Sequence, residues 1–177
     1  MRLKQKGQQD SIVSLKDLTV NMNWNTAADF DLAVIYKTKS DEQGIVYFGD
    51  LGSLEQFPFI RLDKDAGVGD TQGAKQETLQ IKHLNDMKYV WLFCWDYGMV
   101  KIGKTARFTG SDVNLTLIDR EGNQNIVELD EAAEDGNVCC IATIDNTSPT
   151  GAMLINVSRS ATLHKLETLN QLFAVVE

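Results

Sequence analysis

The sequence predicts an all-β protein, a two-sheet antiparallel β-sandwich with a C-terminal helix. Three observations lead there. Short runs rich in β-branched and aromatic residues recur along the chain with an alternation of period two. Turn chemistry separates them at 41–44, 49–52, 119–123, 134–137 and 146–151. A period near 3.6 is found only towards residue 177.

"LTVNMNW" sets Leu18, Val20, Met22 and Trp24 on one face and Thr19, Asn21 and Asn23 on the other, as in a half-buried strand. In "FDLAVIYK", Phe30, Leu32, Val34 and Tyr36 share one face. Asp31, Ala33 and Ile35 share the other, so this strand opens polar and becomes apolar on both sides. "IVYFG", "FPFIRL" and "ETLQI" follow. "YVWLFCW" (89–95) is apolar on both faces, which suits a central strand covered above and below, and Lys88 and Asp96 flank it as charged gatekeepers. "VNLTLID", "NIVEL", "NVCCIATI" and "AMLINVS" complete about ten strands at the spacing of a sandwich or barrel. With Ser160 as N-cap, the end of the chain then predicts the helix. Leu163, Leu166, Asn170, Phe173 and Val176 form its stripe, widened by Leu169 and Leu172.

Composition narrows the function. At 177 residues and 19.7 kDa, one domain spanning 1–177 is the simplest division. The net charge of −8 opposes nucleic acid and anionic lipid and favours cations such as calcium, or a basic protein partner. The longest apolar run falls far short of the roughly 20 residues a membrane span needs. The opening "MRLKQKGQQD" lacks a signal-peptide core, so a cytoplasmic protein with no membrane insertion is expected. Cys94, Cys139 and Cys140 are odd in number and two are adjacent, which suits free buried thiols in a reducing compartment.

"GMVKIGKT" matches the phosphate-binding pattern G-x-x-x-x-G-K-[ST] at Gly98, Gly103, Lys104 and Thr105. That loop works only where it leaves a parallel strand and opens a helix whose N–H groups hold the anion. Here "ARFTGSD" breaks any helix after Thr105, and the next strand begins too soon for a crossover. The alternating side chains of 98–103 suggest a hairpin with Gly98 and Gly103 at bends, and a nucleotide-binding protein is the third of three readings.

"RLDKDAGVGDTQGAKQETLQI" (61–81) offers Asp63, Asp65, Asp70 and Glu77 with three glycines among them, in a connection too long for an ordinary hairpin. Calcium takes six to eight oxygens, and a tightly folding glycine-rich loop can aim carboxylates at one point. A solvated surface loop has the same composition. His83 and His164 have no zinc-ligand spacing around them, and no G-x-S-x-G elbow or hydrolytic triad order occurs, so no enzyme is predicted.

Four segments in order resemble the TerD family of bacterial tellurium-resistance and stress proteins. They are "LKQKGQQDSIVSL", "LTVNMNWN" followed by "DFDLAVIY", "IVYFGDLGS" leading into the loop that closes on "ETLQIKHL", and "FTGSDVNLTLIDREGNQNIVELD". The resemblance covers nearly the whole chain. It implies a β-sandwich that binds calcium, without enzymatic activity of its own, acting through other proteins of a stress-response system. It carries Asp29 and Asp31 to the strand-opening aspartates, Asp65 and Asp70 to the acidic loop and Glu77 to its closing glutamate, with Asp63 as a further candidate. Asp31 is the better of the first pair, at a strand end where a carboxylate needs a partner. The chain departs from the family at "GAKQE", where Lys75 adds a positive charge beside the ion and implies weakened or partial calcium binding. The second reading is a lectin-like sandwich in which exposed aromatics among Trp24, Tyr47, Phe57, Phe59 and Tyr97 stack on a carbohydrate or peptide.

Overall fold

The structure is a computed structural model that describes residues 1–26, 28–63, 75–106, 108 and 111–177, with the backbone alone at Lys75. In chain order the strands are β1 (Arg2–Leu3), β2 (Gln9–Ser11), β3 (Leu18–Trp24), β4 (Asp31–Thr38), β5 (Gln43–Val46), β6 (Gly52–Ser53) and β7 (Ile60–Leu62). They continue as β8 (Lys75–Ile81), β9 (Met87–Trp95), β10 (Asn114–Ile118), β11 (Gln124–Glu128), β12 (Val138–Asp145) and β13 (Met153–Ala161). Helix α1 (Tyr97–Ile102) follows β9, and α2 (Leu169–Val176) follows β13.

Two sheets face each other, as expected of a sandwich. One has the order β1-β11-β10-β3-β8-β7-β6 and the other β2-β13-β12-β9-β4-β5, and every pair is antiparallel except β1 with β11. The alternation read from the sequence decides which side chains meet between them. Val20 and Met22 of β3, Leu79 of β8 and Leu115 of β10 face Leu32 and Val34 of β4, Leu92 of β9 and Ile144 of β12 in one buried core. β9 is central and apolar on both faces because its outer side is covered too. Ala33, Ile35, Trp91, Phe93, Trp95 and Cys140 form a second cluster with Leu172, Phe173 and Val175 of α2. Burial on both faces is why β9 reads as a continuous apolar run. Lys88, at its N-terminal end, is paired with Asp41 at 2.6 Å.

Three stretches of the chain differ from expectation. The helix is shorter than 160–177, because β12 holds the chain in the sheet as far as Ala161, opposite Val138. α2 begins only after Thr168, whose N–H donates to the Gln171 side-chain oxygen at 2.9 Å, as in a capping box. Leu163 and Leu166 still pack on the outer cluster, from the segment ahead of the helix. Second, "GMVKIGKT" is not a hairpin. Asp96 accepts the Met99 N–H at 3.2 Å and starts α1, while Gly103, at φ 65, ends it in the left-handed conformation that favours glycine. Third, β1 and β2 arise where the sequence showed no alternation. They are too short for a period, and their strand pairing comes from β11 and β13.

The thiols lie as the adjacency of two of them requires. Cys139 faces the inter-sheet core, directly opposite Cys94 on β9, and Cys140 faces the outer cluster. All three are free and fully buried. Burial pushes the Cys94 and Cys140 thiols well above the ordinary range and Cys139 up to about 12. The nucleophilic thiolate is therefore suppressed at neutral pH. The native protein is expected to release no colour with a thiol-specific disulfide reagent at pH 8 within minutes, and all three thiols to react in guanidinium. Rapid reaction of even one native thiol contradicts this packing.

Candidate functional site

One end of the sandwich holds the start of β4, with Asp31, and the start of β8, close to Glu77. β3 and β12 meet their neighbours there, with Trp24 opposite Lys75 and Val138 opposite Trp95, and β4 begins there at Asp31, also opposite Trp95. β3 and β9 end here and β4 and β8 begin here, as in a sandwich that joins antiparallel strands alternately at its two ends.

Glu77 and Asp31 approach β4 from different sides. Glu77 shares the inward parity of Leu79 and Ile81 and sits opposite Met22, so its half-buried carboxylate enters the mouth of the core. Its Oε2 accepts the Leu32 N–H of the opposite sheet at 2.5 Å. β5 stops at Val46, opposite Val34, so the first residues of β4 have no strand partner on that edge and a carboxylate takes the place of one. Asp31 follows the outward parity of Ala33 and Ile35 and is half-buried beside Trp95, as its position in the sequence implied. A third carboxylate, Asp96, is buried at the start of α1. Burial is the main cause of the raised Cys94 thiol, then Cys139, and the charges of Glu77, Asp31 and Asp96 add to it. The three carboxylates are thus within electrostatic reach of one sulfur.

The remaining candidates divide. Asp29 is exposed on the β3–β4 connection. Asp63 forms an ion pair with Arg61 at 3.7 Å, and its N–H donates to the Thr78 carbonyl at 2.9 Å. Asp65 and Asp70 lie outside the described residues. The structure therefore brings Asp31 and Glu77 to one strand end and gives Asp63 a partner of its own. Among the described residues, no group of three or more His, Cys, Asp or Glu side chains is arranged to hold a metal ion. Asp31 and Glu77 are hard oxygen donors of the kind calcium takes, but two carboxylates fall short of six to eight oxygens.

Asp96 was legible only as a flanking charge of β9. Its cap role had a signal, an aspartate three residues before Met99 at the end of a strand. The cap also fixes where "GKT" falls. Lys104 and Thr105 follow the C-terminus of α1, where carbonyls point outward, and a phosphate site needs the N–H groups of the opposite end.

The aromatic side chains do not share one platform. Trp24 is buried, its Nε1 donating to the Ala28 carbonyl at 2.8 Å, and its ring packs on Phe30, which packs on Phe108. Tyr47 and Tyr97 flank Phe48. Phe57 lies edge-on to Tyr36, and Phe59 packs against His83.

No protein-family model matches the chain, and no curated protein matches it. No helix among the described residues is long and apolar enough to cross a membrane.

Proposed function

We propose that this chain is a TerD-like, non-enzymatic interaction module of the bacterial cytoplasm, acting with other proteins of a stress-response system and binding calcium weakly or partially. The observation that carries the calcium reading is the Glu77 carboxylate, which crosses from one sheet to the first residues of β4 beside Asp31. The residue that closes the acidic loop thus stands next to a strand-opening aspartate. Two carboxylates, from β8 and from the start of β4, at one end of the sandwich are oxygen donors of the kind a divalent ion takes, and the order of the four sequence segments supports the family.

Thermal melts and calorimetric titration with calcium, magnesium and chelator test this. At 100 times its dissociation constant, calcium is expected to add about 2.7 kcal/mol of stability to the wild type, a rise of about 5–10 °C for a chain of this size. Asp70→Ala should abolish that rise. Glu77→Gln keeps an oxygen for the Leu32 N–H, so its metal-free melting temperature should stay near the wild-type value while the calcium response falls. Equal responses to magnesium and calcium, or none to either, would sink the calcium reading.

A further inference from the structure

The outward side of the seven-stranded sheet has a composition unlike the rest of the chain. β3, β8, β10 and β11 each turn three side chains outward, and these align across the strands in rows. Thr78, Asn21 and Thr116 make the middle row, continued by Ile126 of β11. Gln76, Asn23, Asn114 and Glu128 lie in register on one side of it, and Gln80, Thr19, Ile118 and Gln124 on the other. Charges stand only at the two edges and are paired there. Glu128 pairs with Arg2 of β1, which continues the middle row beside Ile126. Arg61 of β7 lies beside Gln80, donates to its Oε1 at 3.3 Å and pairs with Asp63. In a chain of net charge −8 this is a field mainly of amides and hydroxyls, with Ile118 and Ile126 among them, half-buried or exposed and bordered by charges that are paired with one another. With strands ~4.8 Å apart and rows ~6.8 Å apart, it is about 14 Å on a side, the breadth of a short oligosaccharide.

We infer that this face binds a neutral carbohydrate chain. A sugar hydroxyl both donates and accepts, and so do asparagine, glutamine and threonine side chains, so each position offers either half of a hydrogen bond. Over the middle strands no charge has to be stripped of water when such a ligand settles. Part of the field is already ordered, because the Thr78 hydroxyl donates to Asn21 Oδ1 at 2.8 Å, which lowers the cost of fixing those side chains on binding. Other partner classes fit poorly. Nucleic acid requires a basic surface, and the cores of protein interfaces are enriched in aromatic residues and methionine, which these rows lack. This inference does not rest on calcium, whose candidate ligands are at the end of the sandwich.

The test is migration of the full chain through native gels containing soluble glucan, mannan, xylan or galactan, with an anionic polysaccharide as a further arm. At least one neutral polymer is expected to retard the wild type. The Asn21→Ala/Thr116→Ala double variant should bind it about tenfold more weakly, as expected for two lost hydrogen bonds. Thr116→Lys, with unchanged circular dichroism and melting temperature, should do the same by placing a charge in the field. Retardation should persist in chelator and in Glu77→Gln, which separates this site from the calcium reading. Four outcomes overturn the inference: no retardation by any neutral polymer, retardation by the anionic polymer alone, binding unmoved by both variants, or a wild-type dimer in light scattering that Thr116→Lys dissociates. The last would make a second copy the occupant.

Discussion

Phe93→Ala is expected to destabilise the protein by about 3–5 kcal/mol, the usual cost of truncating a buried phenylalanine, and to lower its melting temperature by about 10–15 °C. Phe93 is fully buried on the outer face of the most central strand. Its register neighbours are Ala33 on β4 and Cys140 on β12, both small, so neither can swing into the vacated space. The outer cluster depends on that ring to hold the floor on which Phe173 and Leu172 of α2 sit. A domain of ordinary stability has about 5–15 kcal/mol in total, so this one change removes a large share of it. Val13→Ala, at a residue 74% exposed, is the matched control and should stay within about 0.5 kcal/mol. Urea melts of both decide the matter, and a loss below about 1 kcal/mol for Phe93→Ala would mean that the second layer is not packed as described.

Asn137→Ala is expected to cost about 3 kcal/mol through hydrogen bonds rather than volume. Asn137 is fully buried just ahead of β12 and fastens two separate segments to it. Its Nδ2 donates to the Lys104 carbonyl at 3.1 Å and the Leu163 carbonyl at 2.6 Å, and its Oδ1 accepts the Leu163 N–H at 2.7 Å. Alanine leaves all three backbone groups without that partner, and an unsatisfied buried group costs about 1–3 kcal/mol. Asn137→Asp should be at least as damaging, since it sets an anion against two carbonyls. The specific readout is hydrogen exchange at the Leu163 amide, which should accelerate by more than tenfold. Unchanged exchange there would show that the amide does not hold this segment.

These two residues also show what the sequence makes legible. Phe93 stands in a run apolar on both faces, and the structure needs two apolar layers there, so its environment follows from local pattern alone. The same holds for β3, where alternation alone gives Leu18 to Trp24 as a strand with its inward face correct. Asn137 lies between a turn and a strand and reads as loop chemistry. Its three partners are 26 and 33 residues away, a distance over which side-chain periodicity carries no information. β1 and β2 were hidden for the same reason. The end of β13 differs from expectation because Leu163 and Leu166 keep a helical spacing while packing on the outer cluster from a segment that is neither helix nor strand, so composition matched and backbone did not. At the candidate site, parity put Asp31 on its correct face. The role of Glu77 was not legible, because it depends on β5 ending early and leaving the Leu32 N–H to a residue of the other sheet.

The pairing of β1 with β11 and of β2 with β13 has a consequence for biosynthesis. Leu3 meets Val127, and Gln9 meets Ile155, so the opening segments find their neighbours only after most of the chain exists. At a translation rate of about 5–20 residues per second, the ribosome displays those segments unpaired for on the order of ten seconds. Contacts this distant also slow the search that follows release. A nascent chain of this topology therefore spends its first moments with sheet edges open to any cellular factor that shields them.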